Sequence, residues 1–138
     1  MQMEAIINYL DNVKFEVNAR RHRIVCDQPP ENKGTDEGMT PPELMLASLG
    51  TCAGYYAAEY LRARSLPTTG LKVRVSAEKL FKPARLDSFR IEVTIPAGLG
   101  PQHEEGVMRA VKLCLIHNTL LSSPKIETVI QTQVEVPV

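Results

Sequence analysis

Thr40-Pro41-Pro42-Glu43-Leu44-Met45-Leu46-Ala47-Ser48-Leu49-Gly50-Thr51-Cys52 is the stretch on which the fold turns. The Thr40 hydroxyl suits a helix cap, and Pro41 suits a first helical position, where the N–H has no partner anyway. Glu43 completes a Thr-x-x-Glu capping box. From Leu44 to Tyr60-Leu61 the chain is apolar almost all round, which predicts a helix from Pro41 to about Arg64, buried on most sides. Gly50 and Gly54 each cost roughly 1 kcal/mol against Ala inside a helix. With Ala47, Ala57 and Ala58 they make a small-residue face, where a partner helix is expected to cross, from this chain or from a second subunit.

Upstream, Met3 to Leu10, Lys14 to Ala19 and Arg23 to Asp27 read as short strands. They turn at Asp11-Asn12 and at the basic cluster Arg20-Arg21-His22. Gln28 to Thr40, with Pro29-Pro30, Gly34 and Gly38, is a long polar connection of the kind that more often serves function than spacing. Downstream, Leu71 to Leu80 alternates apolar and polar residues, as do Phe89, Ile91, Val93 and Ile95 with their neighbours. These predict an antiparallel pair turned around Lys82-Pro83-Ala84. A second helix is expected from about Gln102 to His117, with Val107, Val111, Cys114 and Leu115 on one face. A short helical turn near Thr119 to Ser122 and a last strand from Ile126 to Val136 follow. The order β-β-β-α-β-β-α-β describes an α+β fold, an antiparallel sheet on two main helices, in one domain over residues 1–138.

Composition narrows the function classes. Lys plus Arg and Asp plus Glu both total 16, so the net charge is zero and no basic footprint for nucleic acid exists. No apolar stretch approaches the roughly 20 residues of a membrane span. Met1-Gln2-Met3-Glu4 lacks the basic start of a secretory signal, so a soluble cytoplasmic protein is expected. The three cysteines are an odd number, which argues against a disulfide framework and leaves each thiol to be judged separately.

Cys52 falls about three turns past the cap, with Ser48, Tyr55 and Tyr56 on its face. That is too far from the helix start for the dipole to activate it. At a thiol pKa of about 8.5 only a few per cent is thiolate at neutral pH, so an activating cation must come from elsewhere. Any one buried cysteine is ordinary packing, which is the assignment given to Cys26. Cys52 and Cys114 gain meaning together, because thiols on two packed helices suit attack by one and resolution by the other. Cys114-x-x-His117 places two metal-ligand types on one helix face, but no second close pair completes it, and no metal site is assigned. Arg20-Arg21-His22-Arg23 reads first as a solvated turn. Its functional alternative is an Arg that lowers a thiol's pKa and steadies charge on a peroxide oxygen.

The stretch from Met39 to Cys52 resembles the most characteristic segment of the OsmC/Ohr family, in which a Pro-x-Glu-Leu helix start precedes the first cysteine. Cys114-Leu115-Ile116-His117 resembles the helix bearing the family's second cysteine, with Leu115 where Pro often stands. The chain is thereby identified as a divergent OsmC-like member. The resemblance implies an intertwined homodimer with active sites at the subunit interface. Cys52 would attack an organic hydroperoxide and become a sulfenic acid. Cys114 would resolve it as a disulfide, and a dithiol reductant would reopen that bond. No metal, organic cofactor, nucleic acid or membrane partner is implied. Arg20, with Arg21 close behind, best matches an Arg that assists the family's first cysteine. The Glu that orients this Arg stands ten positions before that cysteine, where this chain has Pro42; the nearest is Glu43, nine positions before Cys52. Nine residues at about 100° each put Glu43 on the far side of the helix from Cys52. Two other functions fit the same residues: a small-molecule-binding protein whose cysteines line an apolar pocket, and a redox sensor whose disulfide alters a partner surface.

Overall fold

The structure is a computed structural model that describes residues 1–133. It begins with an antiparallel meander, β1 (Ile6–Asp11), β2 (Lys14–Ala19) and β3 (His22–Cys26), in spatial order β1-β2-β3. The turns fall where the sequence places them. Asn12 and Arg20 take the left-handed backbone that tight hairpins require, with φ of 49° and 55°. Ala19 pairs with His22, so Arg20 and Arg21 form the tip of the second hairpin.

The long connection after β3 is organised by a buried carboxylate. Asp27 is 1% exposed and accepts hydrogen bonds from the backbone N–H groups of Gln28, Thr35 and Glu37 and from the Thr35 hydroxyl, at 2.8–3.4 Å. Glu37 in turn pairs with Lys14 on β2 at 2.5 Å. Gly34 is required here, because a Cβ on it would stand 1.9 Å from the Gln28 carbonyl oxygen. The amides of Glu37 and Gln28 hold the Asp27 carboxyl below its ordinary value, against the opposing effect of burial, with Thr35 assisting. A depressed folded pKa stabilises the fold above the ordinary aspartate range, and this contribution is lost as pH falls through that range to the folded value. Asp27→Asn should therefore lower the denaturant midpoint at pH 7, and the gap from wild type should shrink as pH approaches 3. Urea titrations across that range provide the check.

α1 (Pro41–Ala63) starts as predicted. The Thr40 hydroxyl accepts from the Glu43 N–H, and the Glu43 carboxylate accepts from the Thr40 N–H at 2.9 Å, closing the capping box. Leu49, Ala53, Ala57 and Leu61, each four residues apart, form its buried stripe. Ala53, Ala57 and Leu61 join Val107 and Val111 of the second helix in the core. Gly50 and Gly54 do something other than the expected helix crossing: they face a sheet. A Cβ on Gly50 would stand 3.0 Å from Val75 Cγ2, and one on Gly54 3.5 Å from Val73 Cγ2. The helix is also less enclosed than its composition suggests, since Met45 and Tyr55 are exposed.

β4 (Lys72–Leu80) and β5 (Arg85–Thr94) form the second sheet, with Val73 opposite Val93 and Val75 opposite Ile91 on the face toward α1. β5 starts four residues before Phe89, since Arg85 to Ser88 are too polar to show the alternation but still pair with β4.

The largest departure lies beyond. The expected helix from Gln102 to His117 is broken into α2 (Pro101–Val111) and α3 (Leu115–Leu121). The amides of Leu113 and Cys114 bond back only three residues, to Ala110 and Val111, and tighten the end of α2. Cys114 then turns out of helical geometry (φ −53°, ψ 125°) and its sulfur caps α3 by accepting the His117 N–H at 3.4 Å. Val107, Val111 and Cys114 are all buried, so the periodicity runs through the break and conceals it, whereas Leu115 is 59% exposed and off that face. The separate helical turn near Thr119 is the end of α3. Within the predicted last strand, residues 126–133 are exposed and form no strand pairing among the described residues; Val134 to Val136 lie outside the described residues. The observed order is thus β-β-β-α-β-β-α-α among the described residues, still α+β with antiparallel sheets. No described helix is long and apolar enough to cross a membrane.

Candidate functional site

α1 and α3 pack together, and their contact brings Cys52 and Cys114 face to face. Cys52 is half-buried on α1, Cys114 is fully buried at the start of α3, and both are free thiols. The break between α2 and α3 makes this environment. It sets the Leu115–Ile116 start of α3 beside the Cys52 sulfur, where the backbone amides favour the charged form of the thiol.

The two thiols are driven apart in acidity. Burial pushes Cys52 up, but hydrogen bonding from Cys114 and from the amides of Ile116 and Leu115 more than offsets it, so its pKa lies below the ordinary value. Cys114 moves the other way. Burial and the Cys52 sulfur raise its pKa, and the amides of His117 and Ile116 only partly oppose this. Cys52 is therefore the more acidic thiol of the pair, and Cys114 the one that holds its proton more firmly.

Arg20 and Glu43 are not brought to these sulfurs within the chain. Arg20 stands at the exposed tip of the β2–β3 hairpin and makes no ion pair or side-chain hydrogen bond among the described residues. The Glu43 carboxylate is engaged by the Thr40 N–H and hydroxyl, which hold its pKa down. Cys26 is buried beside Asp27, and burial raises its pKa, in keeping with a packing role. In Cys114-x-x-His117 the His117 backbone N–H meets the sulfur, and the ring Nδ1 is buried without a hydrogen-bond partner among the described residues. The amides of Leu115 and Ile116 are the functional groups that sequence reasoning missed. The only clue was Cys114 itself, immediately before a run able to start a new helix.

Comparison with known proteins follows the same line. The OsmC-like protein family matches residues 34–129, which contain both Cys52 and Cys114. No curated protein matches the chain. Among solved structures, a Psychrobacter arcticus protein assigned to the osmotic-stress-induced and detoxification response superposes with a TM-score of 0.77 at 18% identity, covering 86% of this chain and 88% of its own. An OsmC-like protein from Mycoplasma pneumoniae gives 0.73 at 18% identity, over 89% of each chain. An organic hydroperoxide resistance protein from Elizabethkingia anophelis, crystallised with thiocyanate bound, gives 0.67 at 15% identity, over 89% and 90%. At these identities the superpositions speak for the fold alone. With the family match covering most of its length, the chain belongs to the OsmC-like protein family.

Proposed function

We propose that this protein is a cysteine-based reductase of organic hydroperoxides, with Cys52 as the attacking thiolate and Cys114 as the resolving thiol. The observation that carries this reading is the placement of Cys52 on α1 against Cys114 at the start of α3, two free thiols whose surroundings shift their pKa values in opposite directions. The Cys52 sulfur attacks the terminal peroxide oxygen; the S–O bond forms, the O–O bond breaks, and the alkoxide leaves as an alcohol after taking a proton. The Cys114 sulfur then displaces hydroxide from the Cys52 sulfenic acid, which departs as water with the Cys114 proton. A dithiol supplies two electrons and two protons to reopen the disulfide. The likeness of the fold to an organic hydroperoxide resistance protein of Elizabethkingia anophelis supports this substrate class.

The working form in this reading is a cytoplasmic homodimer. The β1–β3 sheet makes no substantial contact with a helix of its own chain, and Ile6, Ile7, Tyr9 and Ile24 are exposed on it. Ile126, Val129 and Ile130 are likewise uncovered. A second copy would cover these surfaces, consistent with their apolar character. Intact mass after substoichiometric organic hydroperoxide tests the chemistry. The protein should lose about 2 Da as the disulfide forms and regain it with a dithiol. A mass that stays unchanged while the peroxide persists would refute the reading.

A further inference from the structure

α2 packs on α1 and leaves a gap toward β5. The gap is a slot of about 440 Å³, within the range of small-ligand sites. Ile91 of β5 and Val107 and Val111 of α2 give it apolar walls, and Glu104, Lys112 and His117 bring polar groups to its lining. Neither reactive cysteine lines it. Glu104 and Lys112 stand eight residues apart at opposite ends of α2, about 12 Å at the helical rise.

The polar groups are not used up by the fold. Lys112 makes no ion pair among the described residues. His117 is among the residues that line the slot, and its Nδ1 is buried with no hydrogen-bond partner among the described residues. A buried polar atom without a partner is destabilising, and a turn of the ring about Cβ–Cγ toward a bound acceptor would relieve that. The lining therefore offers an unpaired ammonium and an unsatisfied imidazole beside a carboxylate, with Lys112 and Glu104 at opposite ends of α2.

We propose that this slot binds a small monocarboxylate with an unbranched apolar tail, of the size of a medium-chain fatty acid. The carboxylate lies on Lys112 and His117 and the tail runs along Ile91, Val107 and Val111. Glu104 repels a second anionic group at the far end, which selects monoanions over dicarboxylates. An extended tail reaching from Lys112 toward Glu104 has about eight or nine carbons. Neither Cys52 nor Cys114 lines the site, so binding is measured apart from peroxide turnover, with the protein held reduced.

Isothermal titration with octanoate, octylammonium and octanedioate tests this. Octanoate should bind with a Kd of about 1 mM or tighter, and the other two at least roughly tenfold more weakly. Lys112→Gln, on an exposed side chain that folding does not need, should weaken octanoate by about fivefold or more, as should His117→Phe. Met108→Trp, which fills the mouth of the slot, should abolish binding. Cys52→Ser should bind octanoate as wild type does, so a failure of the peroxidase reading is separable from a failure here. Equal affinity for octanoate and octylammonium, unchanged affinity in Lys112→Gln, or no binding up to about 10 mM would each overturn the proposal.

Discussion

Cys114→Ser protein, given one equivalent of an organic hydroperoxide, should gain about 16 Da and keep it, while Cys52→Ser should remain at its original mass. The asymmetry follows from the environment of each sulfur. At Cys52 amide donors and a neighbouring thiol outweigh burial and favour the charged form, whereas at Cys114 the amides do not offset burial, and Cys52 is the more exposed of the two. With Ser at 114 the sulfenic acid lacks its internal partner, so the oxygen stays. Peroxide consumption in Cys52→Ser should fall by about a hundredfold or more, since the remaining thiols are buried and raised in pKa. The same series separates the three functions that the cysteines allow. A redox sensor would form the disulfide once and not turn over with any dithiol. A binding protein would leave all three forms reduced. Rapid oxidation of Cys52→Ser would instead move the attacking role to Cys114 and refute the assignment.

Leu61→Ala should cost about 3 kcal/mol of stability, the largest effect expected from truncating a single side chain here. Leu61 is 0% exposed, near the end of α1, and lies in the cluster with Ala53, Ala57, Val107 and Val111. Its small neighbours on α1 cannot collapse into the space, so the loss combines transfer free energy with a cavity. The same change at Leu121, 72% exposed at the end of α3, should stay within about 0.5 kcal/mol. Urea midpoints at matched protein concentration decide the matter, the matching being needed for any protein that self-associates. A Leu61→Ala protein within 0.5 kcal/mol of wild type, on the scale of an exposed site, would show that α2 is free to repack against α1.

How much of this was legible in the sequence depends on how local each signal was. The capping box at Thr40 and Glu43, the paired alternation of β4 and β5, and the two N-terminal hairpins were read correctly because each is written within a few residues. The helix break at Cys114 was not, because burial of Val107, Val111 and Cys114 carries a helical rhythm across a backbone that has changed direction. Gly50 and Gly54 announced a close approach but not its partner, for a small face accepts a β-branched strand as readily as a helix. Asp27 gave no sign at all, since its partners are backbone groups spread over ten residues of loop. The pairing of Cys52 with Cys114 came from reasoning about what two thiols do. The amides that distinguish them depend on tertiary placement, which no periodicity encodes.

The sulfur that holds the first turn of α3 is the same atom that a disulfide with Cys52 would consume. As a free thiol, Cys114 receives the His117 N–H and anchors the beginning of that helix. Drawn into a bond with Cys52, it would become a weaker acceptor, fixed in direction by its new neighbour. Each catalytic round would then loosen and restore a helix end, so that oxidation is recorded as local order as well as chemistry. Slower amide exchange at His117 in the reduced protein than in the oxidised one would register that memory, and equal exchange would deny it.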